Sequence, residues 1–148
     1  MQSGLQPPMV TRSPKILLID DDADTRDAMA ILLSHSGYDV LSAMDGADGL
    51  ACLKNTSPPP NLIILDWEMP VMGGFEFLKV RLSDANLSKI PVIVVTGQKP
   101  DATFQADAVL PKPVNVDRLE REISRFVTLE RKVVNSIAPR RRRRPRPR

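Results

Sequence analysis

Cysteine is almost absent from this chain. A lone Cys52 excludes an intrachain disulfide framework, and its place in an apolar helical pattern reads as a small core residue. Histidine is equally scarce. His35 has no second histidine to work with and lies near the end of a helical segment, where a cation suits the helix dipole, so it reads as structural. No apolar run approaches the ~20 residues of a membrane span. Residues 1–13 lack the charged start and apolar centre of a signal peptide. These absences point to the cytoplasm.

The 148 residues are a one-domain length, with room for five or six strands and their helices. Hydrophobic content of 42% and charged content of 26% fit a globular core with a solvated surface. The net charge of +3 misleads, because seven arginines crowd into residues 139–148 with no acid among them. Without that stretch, 14 basic residues face 18 acidic ones, a balance of −4. The body is mildly acidic and the basic character sits in a tail.

Four short apolar runs each end in a polar residue of a particular kind. Lys15-Ile16-Leu17-Leu18-Ile19 runs into Asp20-Asp21-Asp22, and Leu62-Ile63-Ile64-Leu65 into Asp66. Val92-Ile93-Val94-Val95 runs into Thr96, and Ala108-Val109-Leu110 into Pro111-Lys112-Pro113. Such runs, set between helical segments, read as buried parallel strands. Ligands of an open parallel sheet bind at the carboxyl ends of its strands. One edge would therefore gather carboxylates, a hydroxyl and an ammonium, a set suited to a divalent metal and a phosphoryl group.

Residues 1–14 hold three prolines and no periodicity, and read as a disordered leader. Strand one covers roughly 15–20. Asp22 or Asp24 is positioned to cap the next helix, where Ala28, Ile31 and Leu32 recur and Ser36-Gly37 mark the stop. A second strand is expected over 39–44 and a short helix over 47–54, followed by the stiff Ser57-Pro58-Pro59-Pro60. After Asp66 a loop containing Gly73-Gly74 leads to a helix from Phe75 to about Leu82. Strands four and five fall at 91–95 and 108–110. This alternation predicts an α/β fold, a doubly wound five-stranded parallel sheet with helices on both faces.

The last helix is long, about six turns from Asn115 onward. Val116, Leu119, Ile123, Phe126, Val133 and Ile137 recur in steps of three and four, interrupted at Glu130. The pattern fits a coiled-coil-like seam or a core helix with a frayed end.

The chain resembles the receiver domains of two-component response regulators, chemotaxis-type and single-domain. The resemblance rests on Asp20-Asp21-Asp22, Asp66-Trp67-Glu68-Met69-Pro70 with Gly73-Gly74, Val95-Thr96-Gly97 and Pro111-Lys112-Pro113, and covers roughly 15–128. It implies a flavodoxin-like sheet in which Asp66 is the phosphoacceptor, a carboxylate nucleophile giving an acyl phosphate. Asp20, Asp21 and Asp66, with the backbone carbonyl of Glu68, would bind Mg²⁺ through hard oxygen ligands. Lys112 would place a point charge on one phosphoryl oxygen and Thr96 a hydroxyl on another. The resemblance also implies a cis peptide at Lys112-Pro113. Trp67 is expected to pack beside the site, near Met69 and Met72. A haloacid-dehalogenase-like phosphatase would need a second aspartate two residues past the nucleophile, where Glu68 stands.

Two departures bear on signalling. Only fifteen residues separate Thr96 from Lys112, too few for the full helix the family carries there, so the fourth helix is expected to be shortened. The strand-five position that usually holds a swinging aromatic is Val109. The output route through that aromatic is therefore missing, and the extended last helix becomes a candidate for output through a homodimer.

The expected organisation is a leader over 1–14, a receiver over 15–138 and an Arg/Pro-rich disordered tail over 139–148. Arg140 to Arg144, Arg146 and Arg148 repel one another, and the prolines break helices. Such a tail suits nucleic acid or another anionic surface, or serves only to solvate the terminus. The leading expectation is a stand-alone receiver phosphorylated by a histidine kinase or histidine phosphotransfer protein, acting on a downstream protein partner. It would catalyse only its own phosphorylation and dephosphorylation. Alternatives are a receiver-regulated nucleic-acid-associated protein and a receiver fragment of a larger regulator.

Overall fold

The computed structural model describes residues 13–99 and 105–137, with side chains as far as Val127. The shortened fourth helix is expected between Thr96 and Lys112; residues 100–104 of that stretch, and the arginine tail, lie outside the described residues. So do residues 1–12 of the leader. Residue 14 belongs to the domain, because the Pro14 carbonyl accepts from Asp39 N at 2.9 Å.

Five strands form one parallel sheet: β1 (Lys15–Ile19), β2 (Asp39–Ala43), β3 (Leu62–Asp66), β4 (Val92–Thr96) and β5 (Ala108–Pro111). Their spatial order is β2-β1-β3-β4-β5, the doubly wound order expected. The connecting helices are α1 (Ala23–His35), α2 (Gly46–Asn55) and α3 (Gly74–Leu82), with α4 (Val116–Ile137) after the last strand. A 3-10 turn over Leu87–Lys89 was not anticipated. It is organised by Asp84, whose Oδ1 accepts from the backbone N–H groups of Asn86 and Leu87. α2 is capped by Asp45, which accepts from Asp48 N at 2.8 Å. The Asp22 side chain does not cap α1 through a backbone bond and instead accepts from the Thr25 hydroxyl.

The strands read as unbroken apolar runs because both faces are covered. Successive side chains alternate between faces. Leu17, Ile19, Ile63, Leu65, Val92 and Val94 pack with Leu50 and Leu53 of α2 and Phe77 and Leu78 of α3. Ile16, Leu18, Ile64, Ile93 and Val95 meet Leu33 of α1 and Leu119, Ile123 and Val127 of α4 on the other face. Arg81 is a buried tie from α3, donating to the carbonyls of Ile90 and Ser88.

α4 resolves the first half of its pattern. Leu119, Ile123 and Val127 are fully buried in the domain's own core, and Phe126 packs partly against the same cluster. Leu119 and Ile123 are therefore core residues, not part of a seam open to a partner helix. Val116 is exposed. Val133 and Ile137 lie beyond the described side chains. Cys52 is half-buried against the α2 side of the core, as a small core residue would be, and His35 is exposed in the last turn of α1.

Candidate functional site

Parallel register brings the strand ends together. Ile19 pairs with Leu65, Asp66 with Val95, and Thr96 with Pro111, so the residues that follow each strand share one edge. Backbone bonds fix the exit of each strand. Trp67 N donates to Val95 O at 3.0 Å, Lys112 N to Thr96 O at 2.9 Å, and Asp20 N to Ala43 O at 3.1 Å. Lys112-Pro113 is cis, as the resemblance implied, and Ser57-Pro58 is cis as well.

Asp66, Asp20 and Thr96 are buried at this edge, while Asp21 is exposed. One carboxylate oxygen from each of Asp20, Asp21 and Asp66 lies within 4.8 Å of the others. Lys112 Nζ stands 2.7 Å from Asp66 Oδ1. That oxygen is buried and makes no aligned hydrogen bond, so the ion pair is its compensation. Asp20 Oδ1 accepts from Asp22 N at 2.9 Å, and the Asp20 carbonyl accepts from Arg26 Nη1 at 2.7 Å. The acidic cluster opens into a cleft of about 550 Å³, also lined by Met29, Leu32 and Val114. A cleft of about 640 Å³ near Tyr38 and Asn61 lies at the amino end of the sheet, away from this chemistry.

Electrostatics follow from burial and crowding. Burial pushes the Asp66 carboxyl up to about 6, against the pull of Lys112, with Asp20 adding to the rise. Burial likewise holds Asp20 above the usual carboxylate range. For Lys112 burial acts downward, but the neighbouring Asp66 and Glu68 outweigh it and hold the ammonium above its ordinary value. Three clustered carboxylates against one ammonium leave an excess of negative charge. An all-oxygen donor set of that charge fits a hard divalent cation such as Mg²⁺.

Glu68 also engages the site through its side chain. Its Oε1 accepts from Thr96 Oγ1 at 2.6 Å and from Gly97 N at 3.2 Å. Its Oε2 lies 3.6 Å from Lys112 Nζ. Burial opposes ionisation here, but the Thr96 hydroxyl and Lys112 prevail and hold Glu68 below its ordinary value. The readable signal was an anionic side chain two residues past Asp66, between the expected hydroxyl and ammonium.

The loop after β3 sets these positions. Gly74 closes against Trp67, where an added Cβ would meet Trp67 Cε3 at 2.5 Å and its Cα at 3.0 Å. Gly74 N donates to the Trp67 carbonyl at 3.1 Å. Trp67 is half-buried beside Met69 and Met72 on the core, with Phe75 edge-on at 6.4 Å. Val109 of β5 packs against the same core cluster.

The family model of the response regulator receiver domain matches residues 16–124. The chain belongs to that family. As a receiver domain it is 37% identical over 112 residues to the DNA-binding dual master transcriptional regulator RpaA of Synechocystis, covering 72% of this chain and 46% of RpaA. It is 32% identical over 116 residues to protein PilH of Pseudomonas aeruginosa, covering 74% of this chain and 94% of PilH. Among solved structures, Vibrio cholerae chemotaxis protein CheY4 superposes with a TM-score of 0.70 at 31% identity, over 78% of this chain and 100% of that one. The receiver thus spans under half of RpaA and nearly all of PilH. No described helix is long and apolar enough to cross a membrane.

Proposed function

We propose that this receiver accepts a phosphoryl group on Asp66 from a histidine kinase or histidine phosphotransfer protein and passes the signal on through a protein partner in the cytoplasm. The observation that carries this reading is the buried Asp66 carboxylate held 2.7 Å from the Lys112 ammonium, beside two further carboxylates. An Asp66 oxygen attacks phosphorus, and the new O–P bond forms as the N–P bond of the donor phosphoimidazole breaks. The electron pair returns to the imidazole nitrogen, which takes up a proton. In the reverse sense of signalling, water attacks the acyl phosphate and releases inorganic phosphate and the free carboxylate. These two steps on its own Asp66 are the only catalysis proposed.

Asp20, Asp21 and Asp66, with the Glu68 carbonyl as a further donor, would hold Mg²⁺, which when bound offsets repulsion between an anionic nucleophile and an anionic donor. Lys112 neutralises one phosphoryl oxygen and Thr96 donates its hydroxyl to another. Incubation with a small phosphodonor such as acetyl phosphate tests the reading. A mass gain of one phosphoryl group, lost in Asp66→Asn, is expected; an unchanged gain in that variant sinks it.

Two finer partner readings rest on sequence alone. A homodimer through the last helix would use Val133 to Ile137, since Leu119 and Ile123 are committed to the core. The arginines of residues 140–148 would give salt-sensitive binding to nucleic acid. DNA retention that survives removal of residues 139–148 would dismiss the second.

A further inference from the structure

Three donors face the same small region beside Asp66: the Thr96 hydroxyl and the Gly97 N–H on one Glu68 oxygen, and the Lys112 ammonium toward the other. This is a donor set for an oxyanion. In the structure the anion already there is the Glu68 carboxylate, 2.6 Å from Thr96 Oγ1, 3.2 Å from Gly97 N and 3.6 Å from Lys112 Nζ. A threonine hydroxyl has one proton to give. Gln98 N donates to Thr96 Oγ1 at 3.0 Å, so the hydroxyl accepts from one side and directs its proton toward Glu68. Thr96 cannot donate to a phosphoryl oxygen while that bond stands. The Glu68 side chain is 37% exposed, which leaves it a route into water.

We propose that the Glu68 carboxylate is a resident anion in the subsite for the phosphoryl oxygens, and that it must leave Thr96 and Gly97 before Asp66 can carry a phosphoryl group. This rests on the reading of Asp66 as phosphoacceptor. Glu68 is then a positioning residue of the resting state: it holds the hydroxyl and shares the ammonium until a stronger anion is built on Asp66. Loose anions face a charged competitor already in place, whereas a phosphoryl group covalently attached to Asp66 competes at high local concentration.

Beryllofluoride, a phosphoryl mimic that attaches to a carboxylate oxygen, gives the test. The full chain, Glu68→Ala, Glu68→Gln and Asp66→Asn are titrated with it in Mg²⁺ and followed by Trp67 fluorescence. Loss of a charge-assisted bond from the competing state should tighten mimic binding about tenfold in E68A. E68Q, which keeps the Thr96 contact but not the attraction to Lys112, should fall between E68A and the parent. It also carries the comparison if E68A fails to fold. A crystal structure of the parent with the mimic bound should show Glu68 Oε1 out of hydrogen-bond reach of Thr96 Oγ1 and Gly97 N. Equal affinities of the parent and folded Glu68 variants, or Glu68 still on both donors beside the mimic, overturns the proposal alone. Failure of every chain to bind, or equal binding by D66N, removes the phosphoacceptor reading and the proposal with it.

Discussion

Lys112 Nζ stands 2.7 Å from Asp66 Oδ1 in a cluster to which Asp20 and Asp21 bring two more carboxylates. One ammonium does not neutralise three carboxylates, and burial pushes Asp66 from its usual 3.8 up to about 6. A carboxyl raised on folding favours the protonated native state. Its contribution to stability is complete below the unfolded value and is lost as pH rises through about 6. In metal-free buffer at about pH 8, Asp66→Asn should therefore be more stable than the parent by on the order of 2 kcal/mol. The gap should close as pH falls below the unfolded value. Urea unfolding of both chains with a chelator present checks this, and equal stability at the higher pH would contradict it.

Divalent cation should offset much of that penalty. Binding to the ionised cluster stabilises only the folded chain, by about 1.4 kcal/mol when free Mg²⁺ is ten times its dissociation constant. Because the ligands must be deprotonated, the gain should shrink as pH drops below the Asp66 value of about 6. Asp20→Asn and Asp66→Asn should each lose most of it. Thermal unfolding with and without Mg²⁺ reads the effect, and a full shift retained in both variants would move the metal elsewhere.

Much of this arrangement was legible beforehand, for a physical reason. Strands buried on both faces, such as Leu62–Asp66, are apolar up to their last residue, so their carboxyl ends are marked by the first polar one. The edge that gathers Asp20, Asp66, Thr96 and Lys112 follows directly from parallel register. Glu68 was legible only as an anion two residues past Asp66; its bonds to Thr96 and Gly97 were not, because the direction of the side chain depends on the loop conformation between β3 and α3 and not on any periodicity. The role of Leu119 and Ile123 was ambiguous for another reason. Steps of three and four are the same whether a helix faces its own sheet or a second helix. The turn at Leu87–Lys89 depends on one side chain, Asp84, and three residues are too short to carry a pattern.

Gly74 should be intolerant of even one added carbon. Its ideal Cβ would lie 3.0 Å from Trp67 Cα, which is backbone and cannot rotate away. Gly74→Ala should cost about 1–3 kcal/mol, the range for overpacking, and should shift Trp67 emission in the folded state. The displaced loop also carries Glu68, so mimic binding should change with it. Denaturation followed by Trp67 fluorescence measures both effects, and a variant with the parent's midpoint and spectrum would show that the loop gives freely.

Ile123 separates the two meanings of the last helix. It is fully buried against the sheet with Leu119 and Val127. Truncation leaves a cavity in the core, so Ile123→Ala should cost about 2–5 kcal/mol. If the residue serves only its own core, that loss is the same at every protein concentration. If it stabilised a helix pair, the loss would depend on protein concentration, since dimer stability is inseparable from it. Urea midpoints of parent and variant, compared across a wide range of protein concentration, decide the matter. A penalty confined to high concentration would return Ile123 to an interface.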